Sequence, residues 1–423
     1  MKVIVQKYGG TSLATPARIR SVAKRIVAAR RAGCGIVVVV SAMGDTTEQL
    51  LGLARSVISQ PPRRELDMLL TAGERVTMSL LSMAIQDLGS EAISFTGSQS
   101  GIITDTSHTN AHILEIRADR IRRELAKKRV VIVAGFQGVS VEREVTTLGR
   151  GGSDITAVAL AISLGARECE IYTDVDGILT ADPRVVPGAR LLPEITYDEM
   201  LELAGLGARV LQSRSVELAA RHHLTLRVRP SIGEGTGTVI RDETLERPEV
   251  RGVTHDEAIA LLSLRRVPRS PRSLSQVVTS LANAGVAVRF FFHGAGAEKT
   301  TDLSFVVNES DLATARRVLA SEARRIGARE VRASKGVGLV SVIGVGITRS
   351  PDMLARIFTA LSRSRIHIGS VSTSETRVSC IIPQSAVGRA ARALAREFDL
   401  MKPRTARSTS GGRGRKRASA PRE

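Results

Sequence analysis

Along the first half of the chain, short apolar runs alternate with longer stretches in which apolar positions recur every three or four residues. Ile36-Val37-Val38-Val39-Val40 is the plainest run, and five β-branched residues without a polar neighbour predict a strand buried on both faces of a parallel sheet. Met1-Lys2-Val3-Ile4-Val5 reads as a first strand, Ala92–Phe95 as another, and Val130–Val139 as one strand-like run. Glu170–Ile178 reads as a strand ending in two acids and a glycine. Helical periodicity runs from about Pro16 to Arg31, through Leu66 to Leu88, from about Leu114 to Lys127, and from Ile155 onward. Alternation of this kind as far as about residue 240 predicts one α/β domain.

From about Glu246 the pattern changes. Strands are expected at Ala258–Leu264, Val286–Phe292 and Thr301–Val307, with helices at Leu274–Ala284 and Leu312–Arg325. The same order then returns: strand Leu339–Val345, helix Met353–Ser364, strands His367–Ser372 and Arg377–Ile382, helix Ala386–Phe398. Two copies of a βαββα unit, roughly 75 residues apart, predict paired α+β modules. Such a pair either encloses a site at its interface or serves only to dimerise the chain.

Candidate chemistry lies where strands hand over to helices. Thr146-Thr147-Leu148-Gly149-Arg150-Gly151-Gly152-Ser153-Asp154 leads straight into the helix at Ile155, a place where glycine backbone and a helix N-terminus together receive anions. The loop spells neither the P-loop pattern nor the dinucleotide fingerprint, because Asp154 stands where the third glycine belongs. A phosphate site with a second polar ligand and a structural turn with an N-cap both remain open on this loop alone. Lys7-Tyr8-Gly9-Gly10 sets a lysine beside paired glycines after the first strand, and Ser41–Thr47 is a hydroxyl-rich loop after the second. The pair Asp174 and Asp176 could hold a metal, cap a helix or accept from a ribose, and Asp182-Pro183-Arg184 is a restrained turn carrying both charges.

Length and charge narrow the classes. A chain of 423 residues exceeds one ordinary core, and 43% hydrophobic residues suffice for packed domains. The net charge of +19 first suggests nucleic acid. Eight basic residues against Glu423 alone lie beyond residue 401, however, in a Ser/Gly/Arg-rich tail without apolar pattern that is expected to be disordered. Aromatic residues are only 3% and Trp is absent, so a base-stacking platform is unsupported and nucleic acid is not expected as a partner. No uncharged apolar run reaches about 18 residues, and Cys34, Cys169 and Cys380 are odd in number and lack metal-ligand spacing. A soluble cytoplasmic protein with buried thiols, no membrane partner and no dedicated metal site is the expectation.

Taken together, Lys7-Tyr8-Gly9-Gly10-Thr11-Ser12, Ser41-Ala42-Met43-Gly44, Thr71-Ala72-Gly73-Glu74-Arg75, Val133–Gly138, Thr147–Asp154 and Tyr172–Gly177 resemble the aspartokinases, from Lys2 to about Leu400. The resemblance implies an α/β amino-acid-kinase fold, a mainly parallel sheet sandwiched by helices, over residues 1–245. Two βαββαβ ACT-type regulatory modules would follow over 246–400, with a basic tail at 401–423. It implies ATP-dependent phosphorylation of the side-chain carboxylate of L-aspartate, first step toward lysine, threonine and methionine. ATP would come with Mg2+ carried mainly by its phosphates, and the chain would form a homo-oligomer or associate through its ACT modules. Lys7, Arg150 and Asp154 would be the catalytic residues. Ser41, Thr47, Glu74, Arg150, Gly151, Gly152 and Ser153 would bind aspartate, and Lys7, Gly9, Gly10, Thr173, Asp174, Asp182, Arg184 and Arg209 would bind ATP. Arg209 stands where many members carry Lys.

The regulatory half departs from the family pattern. Val267-Pro268-Arg269-Ser270-Pro271-Arg272 replaces an acid by Arg269 and a glycine by Arg272, and His293-Gly294 replaces a Gln-Asn pair, whereas Ser372-Thr373-Ser374-Glu375 keeps to it. Arg269, His293, Ser374 and Glu375 are the effector candidates, for lysine and/or threonine. The reversed charge at Arg269 predicts weakened feedback control. Two competing classes are a kinase for another amino acid, such as glutamate, and an amino-acid-sensing or polyanion-binding regulator without catalysis. Retention of Lys7, Glu74, Arg150 and Asp154 speaks against the second.

Overall fold

The computed structural model describes residues 2–206, 210–242, 250–294, 300–348 and 350–402. Arg209 and all of the basic tail beyond Lys402 lie outside the described residues.

The chain begins with β1 (Val3–Tyr8), α1 (Pro16–Arg31) and β2 (Gly35–Val40). Helix α1 starts on Thr15, whose hydroxyl accepts from Arg18 N, with Pro16 in the first turn, and Arg30 and Arg31 meet its negative end. Next come α2 (Thr46–Val57), α3 (Arg63–Leu70), α4 (Ala72–Asp87), β3 (Ala92–Phe95), β4 (Ile102–Thr104), β5 (Ile113–Ile116) and α5 (Asp119–Ala126). Residues 63–87 are apolar and long enough to cross a membrane by composition alone, yet half of the stretch is buried in this core. The order continues with β6 (Val130–Ala134), β7 (Gln137–Ser140), β8 (Val145–Thr147), α6 (Gly152–Leu164) and β9 (Glu168–Thr173). It closes with β10 (Glu194–Thr196), α7 (Tyr197–Gly205), α8 (Ser213–Arg221), β11 (Thr225–Pro230) and β12 (Thr238–Arg241).

Eight strands form one sheet in the order β10-β12-β11-β9-β1-β2-β6-β3, parallel apart from the β11–β12 pair. Alternation sends Val5, Val37, Val39, Val131 and Val133 toward α6, and Ile4, Tyr8, Val38, Val40 and Ile132 toward α1 and α4. Two apolar layers result, and every residue of β2 is buried. The chain leaves β1 for β2 on one side and reaches β9 on the other, so the topological switch point lies at the carboxyl ends of β1 and β9.

Two sequence expectations are corrected here. The helix expected from Leu114 to Lys127 is β5 followed by the shorter α5, because Leu114 and Glu115 extend along β4 in the small sheet β5-β4-β7-β8. The run Val130–Val139 is two strands in two sheets. The break falls at Gly135-Phe136, where Phe136 takes φ +68° and its carbonyl accepts from Leu148 N.

The second half comprises β13 (Gly252–Asp256), β14 (Ile259–Pro268), α9 (Pro271–Asn283), β15 (Val288–Gly294), β16 (Thr300–Asn308), α10 (Leu312–Ile326) and β17 (Glu330–Ser334). Then follow β18 (Val337–Ile343), α11 (Pro351–Arg363), β19 (Ser370–Ser374), β20 (Arg377–Pro383) and α12 (Val387–Glu397). The first module is βαββαβ, with the antiparallel sheet β15-β16-β14-β17. The second sheet is β13-β18-β20-β19, so its fourth strand comes from upstream of the first module and not from the end of the repeat. Ile259, Phe290, Leu339 and Ile343 join the apolar layer under α6, α7 and α8, which packs the modules onto the first half of the chain.

Candidate active site

The alternation that turns Val5 toward α6 turns Lys7 the same way, two residues on. Its Nζ lies 2.6 Å from Asp154 Oδ1, with side-chain exposures of 13% and 8%. Asp154 stands in the first turn of α6, where the helix dipole favours a carboxylate. Gly151 caps that helix at φ +71°, a conformation open to glycine, and a Cβ there would run into Gln212. Gly135 brings the helix close: a Cβ on it would meet Ser153 and Val39 at 2.9 Å.

Beside Lys7, Gly9 N donates to Tyr172 O, and a Cβ on Gly10 would lie 2.7 Å from Ala42 O. The Gly9-Gly10 turn therefore packs against the Ser41–Gly44 loop at the end of β2. Glu74, in the first turn of α4, is 3% exposed. Ala42 N donates to its Oε1 over 3.3 Å, while Oε2 has no partner among the described residues. Burial pushes its carboxyl up to about 7, offset in part by the backbone hydrogen bonds. Ser41 and Thr47 are half-buried at this loop and at the start of α2.

Lys7, Gly9, Gly10, Ser41, Glu74, Gly151, Gly152, Ser153, Asp154 and Thr173 thus gather around the carboxyl ends of β1, β2, β6 and β9. Arg150 is exposed at the lip of the loop. Thr173 Oγ1 donates to Asp174 Oδ1 over 3.1 Å. Asp182 and Arg184 pair with each other at 2.7 Å, and that hydrogen bond holds Asp182 below the usual carboxylate range.

The effector candidates are not brought together. Arg269 and His293 are exposed on the first module, where His293 stacks on Phe291. Ser374 instead turns to the first half of the chain and donates to Glu202 Oε1 over 3.0 Å. Thr376 and Arg377 hold the same carboxylate, and Arg377 also lies over Phe290 of the first module. Glu375 lines a cavity of about 200 Å³ between the second module and Thr196–Asp198 of the first half.

Sequence reasoning missed several buried carboxylates, of which Glu170 and Asp67 bear on this end of the sheet. Glu170 accepts from Gln6, Tyr172 and Arg229 and ties β1 to β9 and β11 beneath the stacked rings of Tyr8 and Tyr172. Asp67, on α3, is fully buried. Its signal was available, since a lone acid amid Leu66, Met68, Leu69 and Leu70 needs partners once buried.

The sequence pattern of the amino acid kinase family matches residues 2–230, and that of the ACT domain matches 340–398. An aspartokinase of Pseudomonas aeruginosa is 45% identical over 407 residues, covering 95% of this chain and 99% of its own. The crystal structure of aspartate kinase from Synechocystis is 39% identical, with a TM-score of 0.54, over 96% of this chain and 71% of that one. Aspartokinase III of E. coli, solved in complex with aspartate and ADP, shares the fold at a TM-score of 0.80 and 22% identity, over 94% of this chain and 100% of that one. On the length and identity of these matches, the chain belongs to the aspartokinases of the amino acid kinase family.

Proposed function

We propose that this kinase moves the γ-phosphoryl group of ATP onto the side-chain carboxylate of L-aspartate, giving 4-phospho-L-aspartate. The observation that carries the proposal is the pair of Lys7 with the buried Asp154 at the switch point, with the half-partnered Glu74 beside the neighbouring loop. The substrate named for the relatives, aspartate, supports it.

A carboxylate nucleophile is already ionised at neutral pH and needs no strong base. Its oxygen bonds to the γ-phosphorus as the bond to the leaving ADP oxygen breaks. What the protein supplies is alignment and neutralisation of crowded negative charge. Lys7 takes the transferring phosphate oxygens, and the Gly9 and Gly10 backbone approaches them. Arg150 forks onto the α-carboxylate of aspartate, Glu74 takes its ammonium, and Ser41, Thr47 and Gly151–Ser153 complete the seat. Thr173, Asp174, Asp182, Arg184 and Arg209 serve the nucleotide, which requires Asp182 and Arg184 to exchange their mutual pair for it.

Mg2+ would neutralise the ATP phosphates. It keeps most of its waters and binds through few carboxylates, which fits a site where no cluster of three or more acid, His or Cys ligands occurs among the described residues. Asp154, paired with Lys7, would orient the reacting groups or the magnesium complex.

The product would feed lysine, threonine and methionine synthesis. Weakened inhibition by lysine plus threonine is proposed, because the cation of Arg269 opposes an effector ammonium. The cytoplasm is the proposed location, in keeping with three free cysteines. Association of copies through the ACT modules completes the proposal. ADP release and hydroxamate-trapped acyl phosphate, measured with L-aspartate in the presence and absence of lysine and threonine, test it. Turnover with another amino acid in place of aspartate would overturn the substrate assignment.

A further inference from the structure

Asp67 reaches the glycine loop from outside the site. Thr147 Oγ1 donates to its Oδ1 over 2.6 Å, the Thr109 amide reaches both oxygens at 3.1 Å, and His108 Nδ1 lies 2.7 Å from Oδ2. These donors belong to the β4–β5 loop and to the last residue of β8, immediately before Leu148 and Gly149. An ionised carboxylate has the acceptor sites to engage all of them, and a buried one keeps them fixed.

The two segments so held are the walls against which the glycine loop leaves the sheet. Ala111 N donates to Thr147 O over 2.9 Å. Arg214 closes the same walls by donating to Leu148 O over 2.8 Å and to Ala111 O over 3.1 Å. Gly149, at φ +76°, passes so near that a Cβ on it would lie 2.8 Å from Asn110 Oδ1 and 3.2 Å from Thr109 O. The place from which Arg150 to Asp154 start is therefore held from the α3 side by one carboxylate, and from the other side by Arg214.

We propose that Asp67 is a positioning residue for phosphoryl transfer, acting through the take-off of the Gly149–Asp154 loop. The inference rests on that loop seating the acceptor substrate. A purely scaffolding residue would affect both substrates alike. Asp67 holds the loop that seats the acceptor, whereas Lys7, Gly9 and Gly10 hang from β1 and Thr173 from β9. A displacement of about 1 Å at such a loop is enough to slow the reaction by about 100-fold.

The test combines two variants with two readouts. Asp67→Ala removes both acceptor oxygens, and Thr147→Val removes one donor while keeping its shape. Asp67→Ala is expected to raise KM for L-aspartate about 10-fold and to lower kcat by about 10- to 100-fold, with KM for ATP within about twofold. Thr147→Val should shift the same constants in the same direction by less. Hydrogen–deuterium exchange over residues 146–154 should quicken in both variants while β1 and β2 keep their protection. Equal changes in both KM values, or a loop that exchanges as in the wild type, would overturn the proposal. If Asp67→Ala does not fold, Thr147→Val decides alone. A wild type inactive toward aspartate would remove the substrate assignment, and the exchange measurement would still decide the role of Asp67.

Discussion

The switch point of the kinase half and the outer face of the first ACT module treat charge in opposite ways. Around β1, Asp154 and Glu74 are buried and Lys7 is mostly so, Lys7 and Asp154 held by each other and Glu74 by a single backbone amide. On the first module, Arg269 and His293 face solvent. A buried charge constrains everything near it, because removing its partner leaves an expensive orphan. An exposed one can be exchanged with little structural consequence. The matched motifs accordingly cluster in the kinase half, and the departures from family pattern cluster on the exposed module.

The sharpest way to break this contrast is at Lys7. Lys7→Met should lower kcat by about 10³-fold. It should also cost about 3 kcal/mol of stability, because Asp154 stays buried without its cation, and adding Asp154→Asn should restore part of that loss while activity stays low. Chemical denaturation and steady-state kinetics read the two effects separately. A variant as stable as the wild type would mean that the pair is screened like a surface one.

Glu74 gives the next largest effect. Its carboxyl is held up to about 7, so kcat/KM for aspartate should fall about tenfold per pH unit below that value, as the anion that receives the ammonium is lost. Its effect on stability runs the other way. A group with a raised folded pKa binds its proton more tightly when folded, so its contribution is present at low pH and is lost as pH rises through about 7. Glu74→Gln should flatten both profiles and bind aspartate poorly throughout.

The smallest effect on the bare enzyme belongs to the exposed module. Arg269→Asp should leave uninhibited kcat unchanged and shift Tm by no more than about 2 °C, while strengthening inhibition by lysine plus threonine. An unchanged inhibition curve would detach Arg269 from effector binding.

Much of the kinase half is legible in sequence, because its strands are buried on both faces and its glycines sit where backbone must approach closely. Ile36–Val40 announces a central strand, and Gly149–Asp154 announces a strand-to-helix anion loop. The break at Phe136 is not legible, since an aromatic residue at φ +68° is fixed by Leu148, just past β8, and by Gly152 at the start of α6. The strand Ile113–Ile116 is hidden for a similar reason: its pairing with β4 is non-local and its apolar spacing also suits a helix. Ser374 matched the family pattern as an effector residue, yet its hydroxyl meets Glu202, a partner 172 positions away that no local spacing reveals.

The upstream origin of β13 has a consequence for the order in which the molecule can be assembled. During synthesis β13 emerges before the whole first module and must wait for β18, its partner, to follow it. The second sheet therefore closes around an already completed insert, and its edge strand β13 makes the pairing of greatest sequence separation in that sheet although it is among the first residues of the regulatory half to be made.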